Sequence, residues 1–564
     1  MARLPIVTFL LVALLGLLPT AGSSVTANPS VVGSPSPADF IAPPAGFGDP
    51  DRAAKLATGF AGIDRMMREF LEREHVPGAA WGIVVDGRVA HVGTHGLRDV
   101  ARRAPVQPDS VFRIASMTKS FTAVAILQLR DAGKLGLDDP VERHLPELAA
   151  WRYPTTDSPR LTIRHLLTHS AGFPEDNPWG DQQLAISEAT FNALLAQGMS
   201  FSSAPGTSYE YSNYGFALLG RIVSRVSGMP YTAYVQRHIL DPLGMRSTTL
   251  EPARVSPDQL ALGYRWEDGQ WKLEPQLADG AFGAMGGMLT SVDDLTRYVG
   301  MFLAAWPARD GAETAPLSRA SLREMQQAWR ANTTSLTHSP AGLPQLNVAS
   351  YGYGLRVAQT CDFRQVVGHT GGLPGFGSQM RWLPEYGVGI IGFGNRTYTS
   401  WSQVFDAALQ MLLATGGLQP REFQPAPAFV EAQQAVSRLV SEGWNDRVAD
   451  SMAAMNLFLD SDRVHRRASL EALHGEVGRG CRLRPGSTRL ENPLRGSWLL
   501  DCERGTLQAS LTLPPPFPPR SSTWTGSVFR RQASPRRAPA PETVSATPGL
   551  NPLRRAERTS GMMS

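Results

Sequence analysis

The feature that most limits the fold is a β-hairpin left without neighbours. Ala79-Ala80-Trp81-Gly82-Ile83-Val84-Val85 and Arg88-Val89-Ala90-His91-Val92 are β-rich runs on either side of Asp86-Gly87, and that dipeptide between such runs is the strongest short-range hairpin signal. Ahead of them Leu56, Phe60, Ile63, Met66, Met67, Phe70 and Leu71 recur at three- and four-residue spacing. They predict an amphipathic helix from Arg52 to Glu74 that Pro77-Gly78 stops. Matching strands return only at Gln365–His369, Ser378–Leu383 and Val388–Phe393. Pro384-Glu385-Tyr386-Gly387 is a turn between the last two, and an amphipathic helix from Trp401 to Leu413 closes the stretch. Helix and hairpin first, three strands and a helix last, implies one sheet assembled from both ends with a helical insertion between.

The insertion begins at Phe112-Arg113-Ile114-Ala115-Ser116-Met117-Thr118-Lys119, a loop that turns into an apolar helix ending at Ala132-Gly133. A short buried helix and turn follow at Leu161–Gly172. Another apolar helix, Phe216–Val226, lies behind Tyr211-Ser212-Asn213, and Ser291-Val292-Asp293-Asp294 opens a helix through Phe302.

Ser116 and Lys119 are three apart, one helical turn on one face, so the amine reaches the hydroxyl. A serine hydroxyl becomes an effective nucleophile when a neighbour takes its proton, and a desolvated lysine can do so. Ser-x-x-Lys alone is a common accident of sequence. Two further stretches change its weight: Tyr211-Ser212-Asn213 on a loop, and His369-Thr370-Gly371-Gly372 at the end of the first returning strand. Acyl transfer needs a nucleophile, a proton carrier and N–H donors for the oxyanion. Ser116 supplies the first. Lys119 and Tyr211 together can supply the second, since a phenol beside an ammonium loses its proton more readily. The N–H groups of Ser116 and Gly372 can supply the third.

These residues resemble the penicillin-recognising serine hydrolases related to class C β-lactamases, which include D-alanyl-D-alanine peptidases, D-amino-acid peptidases and esterases. The resemblance rests on Ser116-Met117-Thr118-Lys119, Tyr211-Ser212-Asn213 and His369-Thr370-Gly371-Gly372. It is extended by Leu166–Gly172, Gly286–Ser291 and Leu373-Pro374-Gly375-Phe376, and it covers residues 52–415. It implies an α/β, β-lactamase/transpeptidase-like fold: an antiparallel sheet flanked by helices beside an all-helical lobe, with the site between. It further implies that Ser116 forms an acyl-enzyme and that Lys119 and Tyr211 shuttle the proton. Asn213 would bind the substrate amide or Lys119, and His369 would face the substrate from the strand edge. Class C β-lactamases carry Lys where this chain has His369, and histidine is only partly charged near neutral pH. An ester or D-peptide substrate is therefore expected over efficient β-lactam destruction. A penicillin-binding sensor or scaffold that acylates without turnover is the alternative.

Outside this region the chain reads differently. Met1-Ala2-Arg3, an apolar run from Ile6 to Leu18 and small residues to Ala27 describe a secretory signal peptide over 1–27, and so a secreted or periplasmic protein. The run is shorter than the ~20 residues that span a bilayer. Residues 28–51 and 416–428 read as linkers, and 429–519 as a small α+β domain, helical first and stranded later. Residues 520–564 read as a disordered Arg/Pro-rich tail. The 564-residue chain has a net charge of +4, but residues 521–564 hold seven Arg and two Glu, so the body is near neutral and gives no case for nucleic acid. The partner expected is a small-molecule or peptide substrate, with a cell-wall fragment among the candidates and no membrane association beyond the signal peptide. Cys481 and Cys502 can close a loop in an oxidising compartment, leaving Cys361 as a buried small hydrophobe. No Cys/His/Asp cluster has metal-ligand spacing, so no metal or cofactor is expected. His165 and His169 read as structural histidines, and Arg381 as a solvent-facing sheet residue.

Overall fold

The structure, a computed structural model, describes residues 37–338, 344–452, 458–513 and 530–531. It forms two compact units, Pro43–Gln424 and a smaller one that joins the described residues before Pro43 to those from Pro425 on. The expected signal peptide lies outside the described residues, as does nearly all of the 520–564 tail.

In the larger unit, α1 (Phe60–Arg73) precedes the hairpin β1 (Gly78–Val85) and β2 (Arg88–Asp99). Asp86 and Gly87 both take positive φ, 51° and 77°, the backbone a two-residue hairpin turn demands. A short β3 (Ala104–Pro105) follows. The insertion then supplies α2 (Thr118–Asp131), α3 (Ile163–Leu167), α4 (Asn213–Ser227), α5 (Gly283–Gly286) and α6 (Val292–Ala304). The chain returns through β4 (Arg330–His338), β5 (Pro344–Tyr351), β6 (Arg356–Thr360), β7 (Val366–Leu373), β8 (Phe376–Leu383) and β9 (Val388–Gly394), and closes with α7 (Ser402–Ala414). The result is a nine-stranded sheet in the order β3-β2-β1-β9-β8-β7-β6-β5-β4. Each pairing is antiparallel. The first hairpin is completed by the last strand, with Ile83 opposite Ile390: the two ends of this region do build one sheet.

Both faces of that sheet are covered, and the period of two divides the side chains between them. Trp81, Ile83, Val388 and Ile390 pack with Ile63 and Met67 of α1 and with Phe405 and Leu409 of α7. Ala80, Val84, Met380, Trp382 and Ile391 face Phe121 and Val124 of α2 and Leu295 and Val299 of α6. Trp81 and Trp382 are fully buried, each stabilising the fold by about 2–3 kcal/mol through lost apolar exposure. Every residue of β1 is buried, which is why it reads as an unbroken apolar run.

Three strands, β4 to β6, have no counterpart in the sequence reading. Within β4, residues 330–336 are largely polar and exposed, so no apolar alternation marks them; the neighbouring strands hold them in place. Cys361 follows β6 and is exposed, its Sγ accepting the Leu346 N–H at 3.3 Å, which corrects its expected burial. Arg381 is partly exposed, its side chain 14% accessible and paired with the exposed Asp406. Part of the expected 28–51 and 416–428 linkers is ordered, with Gly46 and Glu422 forming an antiparallel bridge.

The smaller unit carries α8 (Pro427–Glu442), α9 (Asp446–Met452) and α10 (Arg463–Val477), then strands β10 (Arg482–Leu483), β11 (Arg489–Asn492), β12 (Arg495–Cys502) and β13 (Gly505–Thr512). Phe429, Trp498, Leu500 and Leu507 form its core, against which Phe40 packs. Cys481 and Cys502 are joined by a disulfide. Arg530 and Arg531, inside the segment expected to be disordered, pair with Gln508 and Leu507 of β13. Among the described residues no helix is long and apolar enough to cross a membrane.

Candidate active site

Ser116 lies in a single 3-10 turn, Ala115–Met117, that leads directly into α2. Ala115 has φ +49°, a left-handed conformation that costs a non-glycine residue about 1–2 kcal/mol and persists only where the surroundings hold it. They do. Thr118 Oγ1 donates to Ala115 O at 2.7 Å, Ser378 Oγ donates to Ile114 O at 2.8 Å, and the Ile114 N–H donates to Met288 O at 2.9 Å. Gly371 of β7 comes so close that a Cβ there would stand 2.1 Å from Ile114 O. The strand bearing His369-Thr370-Gly371-Gly372 is thus packed against the turn that presents Ser116.

Lys119 is fully buried. Its Nζ lies 3.0 Å from Ser116 Oγ, 2.6 Å from Asn213 Oδ1 and 2.8 Å from Met285 O. Burial brings its pKa down to about 7, opposed by the carboxylates of Asp181 and Asp176 and assisted by Arg356. Asn213 starts α4; its Nδ2 donates to Asn177 Oδ1 at 3.0 Å, which turns Oδ1 toward Lys119. Asp176 accepts the backbone N–H groups of Asn213 and Tyr214 at 2.7 and 2.8 Å and so caps that helix. Asn213 Oδ1 and Met285 O can only accept. A neutral amine gives them its two hydrogens and is left with a lone pair facing the Ser116 hydroxyl.

Tyr211 lies beside this pair. Its ring centroid is 4.8 Å from Lys119 Nζ, and the neighbouring Ser116 side chain favours its ionised form. Burial holds the phenol far above its ordinary pKa, more than Ser116 and Arg356 lower it. Burial thus works against the expected loss of the Tyr211 proton.

His369 also departs from its expectation. It is 2% exposed; its Nδ1 is 2.5 Å from Thr370 O, so Nδ1–H donates there, and Nε2 accepts from the Tyr351 hydroxyl at 2.8 Å. Burial, then Arg356 and Lys119, pushes its pKa well below 6.5. His369 is therefore a neutral, fully bonded group and not a partial cation at the strand edge. The nearby cation is Arg356 on β6, exposed, with its guanidinium 6.0 Å from the Tyr211 ring centroid. Among the described residues no carboxylate stands within ion-pair distance of it. Arg356, His369, Thr370, Gly372 and Tyr398 line a cavity of ≈ 480 Å³ along β7, whose lining does not include Ser116, Lys119 or Tyr211.

Of the two turn histidines, His169 keeps a buried Nε2 with no hydrogen-bond partner among the described residues. His165 closes a capping box with Thr162. His169 accepts the Ser212 N–H at Nδ1, 3.1 Å away, and packs among Tyr209, Tyr211, Phe216 and Tyr351.

All eight residues singled out from the sequence lie on the two sides of this site. Tyr351, Arg356, Asp181 and Tyr398 were missed. Tyr351-Gly352-Tyr353-Gly354-Leu355-Arg356 alternates aromatics and glycines just upstream of β6, a hint at close packing; Asp181 and Tyr398 stand in polar loops with no local signal. Among the described residues no group of three or more His, Cys, Asp or Glu is placed to hold a metal ion.

A family model described as Beta-lactamase matches residues 63–415. The chain belongs to the beta-lactamase family. It is 28% identical over 338 residues to protein flp of Staphylococcus aureus (strain MW2), a match covering 59% of this chain and 62% of flp. It is 26% identical over 361 residues to penicillin-binding protein 4* of Bacillus subtilis (strain 168), covering 61% of this chain and 73% of that protein. The chain thus spans under two thirds of flp. In fold it is similar to the octameric penicillin-binding protein homologue from Pyrococcus abyssi, with a TM-score of 0.53, 23% identity, and coverage of 81% of this chain and 96% of that one. It is also similar to a class C beta-lactamase, with a TM-score of 0.50, 20% identity, and coverage of 65% and 98%. The family places the large antiparallel sheet and its flanking helices in the beta-lactamase and penicillin-binding fold.

Proposed function

We propose that this chain is a serine hydrolase that works through an acyl-enzyme on Ser116. The observation that carries this reading is Lys119: a buried amine 3.0 Å from Ser116 Oγ, with two obligate acceptors on its other sides. Its lone pair takes the hydroxyl proton as Oγ bonds to the substrate carbonyl, and the amine returns that proton to the leaving group. The N–H groups of Ser116 and Gly372 receive the oxyanion. Tyr211, kept neutral, donates its hydroxyl hydrogen and does not act as the base. Water then attacks the acyl carbonyl by the same proton path and frees Ser116.

Arg356 narrows the substrate. An exposed guanidinium without a carboxylate partner among the described residues, on the wall of the cavity beside Thr370 and Gly372, suits an acyl donor with a free carboxylate. A D-amino-acid peptide or a β-lactam meets that better than a neutral ester, and a cell-wall peptide is the natural source of the first. The Cys481–Cys502 disulfide supports an oxidising, extracytoplasmic location. A second reading, a sensor that stays acylated, draws on Tyr211: with its phenol held neutral, one base must serve both half-reactions. Fluorescent penicillin with an intact-mass readout separates them. A Ser116 adduct that decays supports a hydrolase, a lasting adduct supports a sensor, and no adduct in the wild type defeats both. A panel of carboxylate-bearing D-peptides, nitrocefin and neutral p-nitrophenyl esters then tests the substrate class.

A further inference from the structure

Beyond the nucleophile and its immediate partners, one buried carboxylate touches both halves of the site. Asp181 follows the helical turn Asn177–Gly180 and is 3% exposed. Its oxygens face opposite ways. Oδ1 accepts from Asn213 Nδ2 at 3.4 Å, and Oδ2 accepts from the Tyr398 hydroxyl at 2.9 Å.

The first contact leads to the nucleophile. A side-chain amide has hydrogens on one end and an acceptor on the other, so its orientation is set by what its nitrogen meets. Asn213 Nδ2 meets Asp181 Oδ1 and Asn177 Oδ1, both acceptors, and Asn213 Oδ1 is thereby directed to Lys119 Nζ. The second contact leads to the rim. Tyr398 stands on the loop after β9 with φ +52° and is 51% exposed. Its ring lies over Gly372, where a Cβ would be 2.6 Å from the ring carbon Cδ1. The Tyr398–Asp181 bond therefore ties the loop after β9 to the helical insertion. A strained backbone carrying a half-exposed ring persists where something holds it, and here that is Asp181.

We propose that Asp181 is a positioning residue for acyl transfer, which through Asn213 turns the Lys119 amine toward Ser116 and through Tyr398 holds an aromatic ring over Gly372, the proposed oxyanion-hole residue. This rests on the acyl-enzyme reading above. The charged and titratable groups facing Asp181 are Lys119 from α2, Tyr398 from the loop after β9, and Glu175 and Asp176 from its own segment. Its carboxylate favours the ammonium form of Lys119, so its removal has a direction. With no anion at 181, the amine loses its proton at lower pH.

The test compares the full chain with Asp181→Asn and Tyr398→Phe, following the rate of Ser116 acylation by fluorescent penicillin between about pH 5 and 9. Asp181→Asn is expected to slow acylation about tenfold and to move its acid limb down by about 1 pH unit. A merely structural loss lowers the rate without moving the limb. Tyr398→Phe keeps the ring and frees it, and is expected to raise the half-saturating penicillin concentration about threefold while leaving the acid limb in place. An Asp181→Asn limb identical to wild type overturns the proposal while the acyl-enzyme reading stands; a wild type that does not label overturns both. Should Asp181→Asn fail to fold, Tyr398→Phe carries the decision, and an unchanged half-saturation overturns the proposal.

Discussion

Lys119 Nζ lies 3.0 Å from Ser116 Oγ and 2.6 Å from Asn213 Oδ1, so the amine is gripped on one side and open to the hydroxyl on the other. As an ammonium it has no lone pair for the Ser116 proton; as an amine it has one. Lys119→Met is expected to lower the acylation rate about 10³-fold, measured by single-turnover labelling. Tyr211→Phe is expected to cost about tenfold, because the phenol only donates. Equal losses in the two variants would assign the proton transfer to Tyr211.

The same buried amine couples stability to pH. Its folded pKa, about 7, is below the unfolded value of 10.5. Below pH 7 both states are protonated and the fold carries the full cost of a buried cation. Between 7 and 10.5 the unfolded chain binds the extra proton, so stability rises with pH. The stability advantage of Lys119→Met over wild type is therefore expected to be largest below pH 7 and to shrink toward pH 10, as read by urea unfolding at several pH values.

His369 and Arg356 make opposite predictions. His369→Lys buries a cation against Tyr351 and Thr370 O and removes an acceptor, so it is expected to destabilise the protein by about 2 kcal/mol or more without creating a carboxylate site. Arg356→Ala is expected to leave stability within about 0.5 kcal/mol and to raise KM about tenfold for carboxylate-bearing substrates, but not for neutral esters. Equal effects on both substrate types would remove Arg356 from recognition.

Gly371→Ala places a methyl group 2.1 Å from Ile114 O, a backbone atom two residues before the nucleophile. Neither strand nor turn can yield easily, and about 2 kcal/mol of destabilisation is expected, with loss of labelling at Ser116. Thermal unfolding with a labelling assay checks both.

Much of this was legible because it is local. Asp86-Gly87 prescribes its turn, β1 and β9 are apolar runs, and Ser116 and Lys119 meet through the period of one helix. What stayed hidden depends on distant pairings. β4 and β5 are polar strands that exist through their partners, and they bring Tyr351 beside His369. The charge state of His369 and the acidity of Tyr211 follow from burial, which no residue spacing encodes. Asp181 reaches Tyr398 across 217 residues of sequence.

The account is tested most directly by the pH dependence of Ser116 acylation in single turnover, with intact mass and peptide mapping to locate the adduct. A buried lysine base predicts one adduct, on Ser116 and absent in Ser116→Ala, with a rate that climbs through a midpoint near pH 7. An adduct on another residue, or a Ser116 rate that stays flat as pH rises through 7, would contradict it.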